Sequence, residues 1–494
     1  MAETKTLKHP RVLAYLFFAE MWERFSFYGM RALLVLYLTK SFLFSDNAAY
    51  AIYGSYSALV YTTPVIGGLL ADRLLGYRKA VVLGGVLMAL GHFAMAVPNL
   101  AVFYFALALL ICGNGFFKPN ISSIVGRLYG PDDPRRDSAF TIFYMGINLG
   151  ALLSPLGCGY LGERLGWHWG FGLAGIGMIV GLFVFLRAQR LLGGIADPPD
   201  EAALKRTIAP GISRELGVYL ATVPALFLVW QLMQHDRVVG SLLIVFGIVV
   251  LVGLLVVLFR SRDRVERDRL AVALVLTLFS IVFWAFFEQA GTSMSLFTDR
   301  NVNRKLFGSI IPASQFQSVN PLFILLLAPV FSALWLYLER RQRDPNTPLK
   351  FGLGIVQLGL GFVALYVGAY ESRATGVVPM FWLVLGYFLH STGELCLSPI
   401  GLSMMTKLSP PRITGMMMGV WFLSSAFAQY VGSLIAELTG VSGASSAART
   451  TPRPVDTVMA YGSVFHGIAE VALVVGVLVI ALSPFIARRM HGIN

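Results

Sequence analysis

The sequence contains few charged residues. Asp, Glu, Lys and Arg make up only 13% of its 494 residues, whereas 56% are hydrophobic. A soluble domain carries about 25% charged residues, so that class of protein is excluded. Apolar runs dominate the chain instead, and a transmembrane helix needs about 20 mostly apolar residues. The composition therefore predicts an all-α membrane protein with many spans.

Cysteine is scarce as well. Cys112, Cys158 and Cys396 are the only three, and each lies in an apolar segment. Disulfide frameworks and cysteine-based metal sites need several cysteines at characteristic spacings. We therefore expect these three to be buried packing residues, and we expect neither a metal site nor a cofactor.

The motifs of catalysis and of ATP binding are also missing. The sequence has no H-E-x-x-H metal motif, no G-x-S-x-G nucleophile motif, no paired intramembrane aspartates and no Walker-type glycine-rich loop. A membrane-embedded enzyme is therefore disfavoured, and we expect that ATP does not drive the protein.

About fourteen segments are long and apolar enough to cross a bilayer. Charged residues interrupt the first of them, which therefore lacks the clean apolar core of a cleavable signal peptide, and we expect it to stay in the mature protein. The predicted spans cover about residues 12–39, 48–71, 78–97, 99–126, 138–162, 169–188, 217–234, 238–259, 270–293, 316–338, 350–370, 377–406, 412–438 and 457–486.

The basic residues between the spans predict the orientation of the chain. If the N-terminus is cytoplasmic, 27 Lys and Arg residues lie outside the spans on that side and 9 on the other. Cytoplasmic loops of membrane proteins carry such an excess, so both termini are expected in the cytoplasm. A basic collar beside anionic lipid also accounts for the net charge of +13 without a nucleic-acid partner.

The first predicted span contains four ionisable residues between positions 20 and 31. A charge at the bilayer centre costs about 2.5 to 3.5 kcal/mol even on the mildest insertion scale, so such residues usually face a bundle interior or a wet cavity. At about 100° per residue, one arc of about 140° contains Glu20, Glu23, Arg24, Phe27, Tyr28 and Arg31. This face is predicted to line a cavity.

Other predicted spans also carry polar residues within apolar cores. Lys118 precedes Pro119 in the fourth span, where a proline frees a backbone carbonyl that polar side chains can satisfy. Asn148 adds a neutral donor and acceptor to the fifth span. The second half repeats this pattern with Glu288, Asn320, Glu394, Trp421 and Ser425.

If the two spans at 217–234 and 238–259 are set aside, six spans remain in each half of the chain. Two pairs of opposite charge then lie on equivalent helices of the two halves. Arg31 corresponds in this way to Glu288, and Lys118 corresponds to Glu394. Opposite charges on pseudo-symmetric helices are what two alternating gates require. The same pairs argue against a permanently open channel.

The halves are joined by a polar stretch at residues 189–216, which is predicted to be a cytoplasmic connection. The spans at 217–234 and 238–259 have no ionisable residue in their apolar cores and are expected to form a peripheral hairpin without a chemical role. The predicted division is an N-terminal six-helix bundle at 1–190, a linker with two extra transmembrane helices at 191–262, and a C-terminal six-helix bundle at 263–494.

Several motifs resemble those of a known family. Residues 68–78 resemble the G-x(3)-D-R-x(2)-G-x-R loop of the major facilitator superfamily. Within that superfamily, the proton-dependent oligopeptide transporters have motifs similar to Glu20-x-x-Glu23-Arg24-Phe25, Gly115-Phe116-Phe117-Lys118-Pro119-Asn120 and Phe143-Tyr144-x-x-Ile147-Asn148-x-Gly150. The resemblance spans both halves. It implies a major facilitator fold of two six-helix bundles plus a two-helix hairpin insertion, with 14 transmembrane helices as in bacterial members.

One position departs from the family pattern. The family usually has Tyr-Tyr where this chain has Phe27-Tyr28. A hydroxyl is therefore missing from the expected pocket, and the contact that it makes in the family cannot be carried over.

The resemblance implies a proton-coupled symporter that imports di- and tripeptides by alternating access. The proton gradient is the expected energy source, and Glu20, Glu23 and Arg24 are expected to couple protons to transport. The peptide carboxylate is expected near Arg24, Arg31 and Lys118, and its amino group near Glu394. The residues expected to bind peptide are Arg24, Tyr28, Arg31, Tyr61, Lys118, Asn148, Glu288, Asn320, Glu394, Trp421 and Ser425.

The resemblance also assigns the gates and the location. Arg31 with Glu288 is expected to hold the outer gate, and Lys118 with Glu394 the inner one. A bacterial cytoplasmic (inner) membrane is the expected location, with the lipid bilayer, protons and peptide as partners and no obligate protein partner. The alternative is a proton-coupled carrier of the same fold for another solute, such as nitrate, a drug or a peptide-like conjugate.

Overall fold

The fold was analysed in a computed structural model that describes residues 8–130, 133–410, 413–440 and 452–493. Lys5, Arg412 and Arg449, which the count of basic residues includes, lie outside the described residues. The described chain is almost entirely helical, so the prediction of an all-α protein is confirmed.

The chain divides into two compact units. Unit 1 comprises Met1–Leu33 and Leu59–His235, and unit 2 comprises Leu34–Ala58 and Asp236–Asn494. Two helices, α1 (Val12–Lys40) and α2 (Asp46–Leu70), contribute residues to both units. The other helices of unit 1 are α3 (Gly76–Met95), α4 (Leu100–Arg127), α5 (Arg135–Ser154), α6 (Tyr160–Arg164), α7 (Trp167–Ala188), α8 (Glu201–Lys205) and α9 (Arg214–Met233).

The helices of unit 2 begin with the second helix of the predicted hairpin. They are α10 (Asp236–Arg260), α11 (Arg264–Phe287), α12 (Ser293–Asn301), α13 (Val319–Arg340), α14 (Thr347–Glu371), α15 (Met380–Leu408), α16 (Thr414–Glu437) and α17 (Pro454–Arg489). Short strands connect some of them: β3 (Val302–Asn303), β4 (Lys305–Leu306), β5 (Ser309–Ile310) and β6 (Val378–Pro379), which follow β1 (Thr207–Ala209) and β2 (Ile212–Ser213) of unit 1.

The prediction of fourteen spans is confirmed. Twelve continuous helical segments in the described part of the chain are long and apolar enough to cross a membrane. One of them, Asp46–Met95, is 50 residues long and contains both α2 and α3. Helix α1 is not among the twelve because of its charged residues. Taking α1 as a span and the long segment as two gives fourteen.

The structure differs from the predicted span boundaries at two places. Residues Ala71–Leu75 at the end of α2 form a π-helix instead of a loop, and Asp72 accepts a hydrogen bond from the Tyr77 hydroxyl. The helical conformation is interrupted at Gly76, where φ is 71° and α3 begins. The seventh core span does not end at 293, because α12 continues to Asn301 after a 3-10 turn at Glu288–Gly291. Hydropathy alone indicates neither feature.

Charged residues order the end of unit 2 where α12 finishes. Arg300 donates to both carboxylate oxygens of Asp46, at 2.6 and 2.8 Å, and to the Tyr461 hydroxyl at 3.1 Å. Next to it, Asp299 accepts from Lys40 Nζ at 2.6 Å. These pairs explain why α12 stays helical through polar residues, and they hold the ends of α1 and α2 in unit 2.

The predicted connection at 189–216 folds against the start of α3. The backbone N–H of Arg78 donates to Ala196 at 2.9 Å, and the Arg78 guanidinium pairs with Asp197 at 3.1 Å. Gly76 has a positive φ of 71°, and a Cβ there would overlap the backbone of Asp197 and its neighbour. A glycine is therefore required where this segment docks.

Candidate functional site

The charged residues of α1 form a buried cluster in unit 1. Glu20, Glu23 and Arg24 are each at most 1% exposed. The Nε and Nη2 atoms of Arg24 donate to the two carboxylate oxygens of Glu23, which makes a bidentate pair. Helical periodicity places Glu20 one turn before Arg24, and its Oε1 lies 3.5 Å from Arg24 Nε. The three residues thus lie together, and their predicted role in proton coupling stays a prediction.

The two acids of this cluster have unequal surroundings. Glu23 also accepts from Asn114 Nδ2 of α4 at 3.5 Å, in addition to the two bonds from Arg24. Neither carboxylate oxygen of Glu20 has a hydrogen-bond partner within the described residues. Hydrogen bonds and an adjacent cation are what make a buried negative charge tolerable. Glu23 therefore accepts three hydrogen bonds in this cluster, whereas Glu20 has only the longer contact with Arg24.

Glycines let the neighbouring helices come close to α1. A Cβ on Gly150 would overlap the Met21 carbonyl, so only glycine allows α5 to pack beside Arg24. In the same way, a Cβ on Gly67 of α2 would overlap the carbonyl of Gly115 in α4. These glycines therefore allow close packing of α5 on α1 and of α2 on α4.

Each cation of the predicted site in unit 1 lies near an aromatic ring. The Arg24 guanidinium is 4.9 Å from the ring centroid of Phe27. Arg31 lies 5.8 Å from the ring of Tyr28, and Lys118 Nζ lies 5.6 Å from the ring of Tyr61. Such contacts contribute about 0.5 to 2 kcal/mol depending on desolvation. Phe27 thus supports Arg24 through its ring face, although it lacks the hydroxyl of the family pattern.

Asn148 on α5 is also buried. Its Nδ2 donates to the Tyr144 carbonyl of the same helix at 3.1 Å. The predicted contact with peptide backbone stays a prediction, as do the peptide contacts of Tyr28 and Tyr61.

Unit 2 contains a second buried acid with neutral partners. Glu394 of α15 is 8% exposed, and its Oε2 accepts from Asn320 Nδ2 at 3.1 Å. The same amide nitrogen is 3.0 Å from Ser391 Oγ, which itself donates to the Tyr387 carbonyl at 2.7 Å. Glu394 has no ion pair among the described residues of unit 2. Asn320 and Glu394, which were predicted to contact the same substrate, do lie together.

Glu288 occupies the 3-10 turn that follows α11 and is 6% exposed. The turn is fixed by Gln289, whose Nε2 donates to the Gly432 carbonyl of α16 at 2.7 Å. A Cβ on Gly291 would overlap the Tyr53 hydroxyl, so this turn packs closely against α2. Glu288 is therefore held on a short, well-packed segment between two helices.

Trp421 and Ser425 lie on α16. The Ser425 hydroxyl donates to the Trp421 carbonyl at 3.3 Å, and Ser424 donates to the same oxygen at 2.7 Å. The indole packs against Gly401 of α15, where a Cβ would overlap it. The roles of both residues in peptide binding stay predictions.

The predicted gate pairs, Arg31 with Glu288 and Lys118 with Glu394, each join a residue of unit 1 to a residue of unit 2. They stay predictions. Sequence reasoning gave no site role to Asn114, which contacts Glu23, or to Ser391, which contacts the Asn320 amide beside Glu394. Helical spacing carried a signal for both, because Asn114 is four residues before Lys118 and Ser391 is three residues before Glu394. The described residues contain no group of three or more His, Cys, Asp or Glu side chains that could hold a metal ion.

Comparison with known proteins gives consistent results. The sequence pattern of the POT family matches residues 78–451. The chain is 39% identical to the uncharacterized transporter YclF of Bacillus subtilis, over 98% of this chain and 96% of that protein. It is 34% identical to dipeptide and tripeptide permease B of Salmonella typhimurium, over 99% of this chain and 98% of the permease.

Solved structures agree with the sequence relatives. A mutant of the peptide transporter POT in complex with alafosfalin superposes with a TM-score of 0.83 at 38% identity, covering 98% of this chain and 97% of that one. A POT family transporter in complex with 5-aminolevulinic acid gives a TM-score of 0.82 at 32% identity, covering 97% of each chain.

Proposed function

The chain belongs to the POT family, and from this premise we propose that it is a proton-coupled symporter that imports di- and tripeptides by alternating access. The resemblance inferred from the motifs and the major facilitator fold are confirmed, as is the prediction of a carrier instead of an enzyme. The protein is a multi-pass membrane protein.

The observation that carries the proposal is the buried cluster of Glu20, Glu23 and Arg24. Charges placed inside a transmembrane helix are expensive and mark proton or substrate pathways. Here two acids share Arg24 as their ion-pair partner, so an acid that is displaced from the guanidinium needs a proton to stay buried. A carrier that couples solute to protons needs such a site, whereas a purely structural ion pair needs only one acid.

The coupling follows from competition for Arg24. In the structure, two of its N–H groups are used by Glu23. A peptide carboxylate that binds Arg24 displaces Glu23, which then needs a proton to remain buried without its cation. Glu20, which has no hydrogen-bond partner among the described residues, is the second position for a proton. Substrate and proton therefore bind together.

The peptide is proposed to lie with its two charged ends on complementary side chains. Its carboxylate would meet Arg24, Arg31 and Lys118, and its ammonium group would meet Glu394. Asn320 orients Glu394 through the hydrogen bond at 3.1 Å. Further contacts are assigned to Tyr28, Tyr61, Asn148, Glu288, Trp421 and Ser425, which would accept varied side chains and backbone.

Alternating access is proposed to use the charge pairs predicted from the sequence, with Arg31 and Glu288 at the outer gate and Lys118 and Glu394 at the inner gate. The bundles at 1–190 and 263–494, with 191–262 as linker and hairpin, are the proposed moving parts. We place the protein in the bacterial inner membrane with both termini in the cytoplasm, acting without a cofactor and without an obligate protein partner.

The proton gradient is large enough to drive accumulation. One proton crossing 100 mV releases about 2.3 kcal/mol. At about 1.4 kcal/mol per factor of ten, this supports roughly a fiftyfold concentration ratio.

The test uses purified protein in liposomes with a labelled dipeptide. An imposed inward proton gradient should accelerate uptake, and Glu23→Gln should abolish the acceleration while exchange of peptide without a gradient continues. If the gradient had no effect on the native protein, or if Glu23→Gln kept gradient-driven uptake, the coupling proposal would fail.

The alternative cargo is another solute carried with protons, such as nitrate, a drug or a peptide-like conjugate. Competition separates it from the main proposal. Unlabelled dipeptides should inhibit uptake of labelled dipeptide strongly, and nitrate should not. A solute that competes better than any dipeptide would replace peptide as the proposed cargo.

A further inference from the structure

The two helices of the extra hairpin, α9 and α10, belong to different units. Unit 1 ends at His235, and the longer part of unit 2 begins at Asp236, so the boundary falls in the turn of the hairpin. The chain also passes between the units inside α1 and inside α2, where the helix is continuous. The hairpin is therefore a covalent link between the units.

Helix α9 is attached to unit 1 at both ends. Near its start, Glu215 pairs with Lys79 of α3 at 2.6 Å and accepts from the Tyr219 hydroxyl at 3.0 Å. Near its end, Trp230 Nε1 donates to the Ala101 carbonyl of α4 at 3.3 Å. Between these contacts one face of the helix is buried, as the spacing of four and three residues shows: Thr222, Leu226, Val229 and Met233. Helix α9 is thus part of unit 1 along its whole length.

Helix α10 packs on α16 of unit 2. A Cβ on Gly240 would overlap the Tyr430 hydroxyl, and a Cβ on Gly247 would overlap the ring of Phe427. The two glycines are seven residues apart, so they lie on one face of α10 about two turns from each other. Leu243, between them, is also buried. Because a side chain would not fit at either contact, α10 is held at a fixed position along α16.

The turn between the two helices is short. Gln234 and His235 are the residues between Met233, the last of α9, and Asp236, the first of α10. The backbone N–H groups of Gln234 and His235 donate back to carbonyls in the last turn of α9, at 3.1 and 3.0 Å. The His235 ring nitrogen Nδ1 also lies 2.9 Å from the Gln231 carbonyl. The turn residues are therefore held on α9, and α10 begins directly after them.

Such a turn limits how far the end of α9 and the start of α10 can separate. An extended chain spans at most about 3.3 to 3.6 Å per residue, so Met233 and Asp236 can be no more than about 11 Å apart. Alternating access requires one half of a transporter to move against the other. Where α1 and α2 pass between the units, a continuous helix can follow such a motion by bending. The turn of the hairpin has a fixed maximum length.

We propose that the hairpin is a strap that sets the largest separation of the two units at the end of unit 1 where α9 finishes. This inference rests on the alternating access of the proposed function. When the units open at this end, the turn is drawn to its full length and stops the motion. When they close at this end, the turn is slack.

The test lengthens the strap without changing either helix. The six residues Gly-Ser-Gly-Ser-Gly-Ser are inserted between His235 and Asp236 of the full chain in liposomes, because exposed turns tolerate insertions. Nitroxide labels at the exposed positions Leu100→Cys of unit 1 and Leu438→Cys of unit 2 report the separation by dipolar coupling, since the native cysteines are buried. Six residues add at most about 20 Å of reach, and the longest distance should increase by more than the span of one residue, about 3.5 Å.

The matched control has the same six residues between Gly193 and Gly194. Both glycines are exposed and lie within unit 1, so this insertion leaves the link between the units unchanged. The control should keep the distances of the native protein, and both variants should keep its thermal stability in detergent. If the long insertion at His235 lowers the stability, a Gly-Ser insertion at the same place, which adds at most about 7 Å, is judged by the same criterion.

The distances also separate failure of the strap from failure of the proposed function. If the native protein changes its distances with peptide and a proton gradient, but lengthening the turn moves the longest distance by less than about 3.5 Å, the strap is overturned and alternating access stands. If the native protein keeps one distance under all of these conditions, alternating access fails, and the strap fails with it.

Discussion

The two buried acid sites, one in each unit, are stabilised in opposite ways. In unit 1, Glu23 is neutralised by the bidentate Arg24 and has Asn114 as an additional donor. In unit 2, Glu394 has a neutral amide from Asn320. A cation partner fixes the charge of an acid, whereas an amide orients the carboxylate and leaves its charge uncompensated.

This difference indicates how each site responds to a solute. In the proposed mechanism, the acid in unit 1 loses its cation to the carboxylate of the peptide. The acid in unit 2 is proposed to take a proton or the ammonium group of the peptide. The following experiments test this comparison.

Removal of Arg24 should have the largest effect. Arg24→Ala leaves Glu23 buried without its cation, and breaking a buried ion pair in this way costs about 3 to 5 kcal/mol. Dipeptide uptake into proteoliposomes, normalised to reconstituted protein, should fall by more than about a hundredfold.

The double variant Arg24→Ala with Glu23→Gln is the control for folding. It removes both charges, so thermal stability in detergent should recover while uptake stays lost. Uptake within tenfold of the native protein in Arg24→Ala would contradict a carboxylate-sensing role for this cluster.

Glu394→Gln should have the next largest effect. The amide of Asn320 can still donate to the new side chain, so the fold and thermal stability should be preserved. A hydrogen bond to a charged group contributes about 1.5 to 3 kcal/mol, and KM for a free dipeptide should rise by about tenfold to a hundredfold.

An N-acetylated dipeptide provides the contrast, because it has no ammonium group. Its inhibition constant should be nearly the same for Glu394→Gln and for the native protein. If Glu394→Gln weakened the binding of acetylated and free dipeptides by the same factor, Glu394 would not recognise the amino group.

Asn320→Ala should have a smaller effect on KM for a free dipeptide. It removes the donor to Glu394 but keeps the carboxylate, so KM should rise by about tenfold at most, given the value of a single such bond. Ser391→Ala is the matched comparison, since Ser391 reaches Glu394 only through Asn320, and its effect should be smaller still. Similar KM values for both variants would show that the amide does not orient the acid.

Phe27→Tyr should have the smallest effect. The ring face stays near Arg24, and a contact between a cation and an aromatic ring contributes about 0.5 to 1 kcal/mol whether or not the ring has a hydroxyl. Uptake should therefore change by less than about threefold, whereas Phe27→Leu, which removes the ring, should reduce it further. A gain of tenfold or more in Phe27→Tyr would show that the missing hydroxyl, and not the ring, limits this site.

Some of the architecture could be predicted from sequence because it follows from local rules. Helical periodicity places Glu20, Glu23 and Arg24 on one face, and the cost of charge in lipid puts that face inside. The fourteen spans followed from apolar length. The π-helix at Ala71–Leu75 did not, because a change from i+4 to i+5 hydrogen bonding leaves no trace in hydropathy.

The finer arrangement of the site depends on tertiary contacts that the sequence does not encode locally. Nothing in the motif indicates that Arg24 donates two hydrogen bonds to Glu23. Nor does the motif indicate that Arg24 Nε stays 3.5 Å from Glu20 Oε1. The continuation of α12 past residue 293 depends on Asp46 and Lys40, which are more than 250 positions away in the chain. The gate pairs remain predictions because they depend on how the two halves are arranged.

The pairing of Asp46 with Arg300 also has a consequence for biosynthesis. The two residues are 254 positions apart. At a synthesis rate of about 5 to 20 residues per second, Asp46 leaves the ribosome roughly 10 to 50 seconds before Arg300. During this interval, the start of α2 lacks the Arg300 side chain with which Asp46 pairs in the folded protein. The rate of synthesis, and not the rate of diffusion, therefore determines when this part of the chain completes its folding.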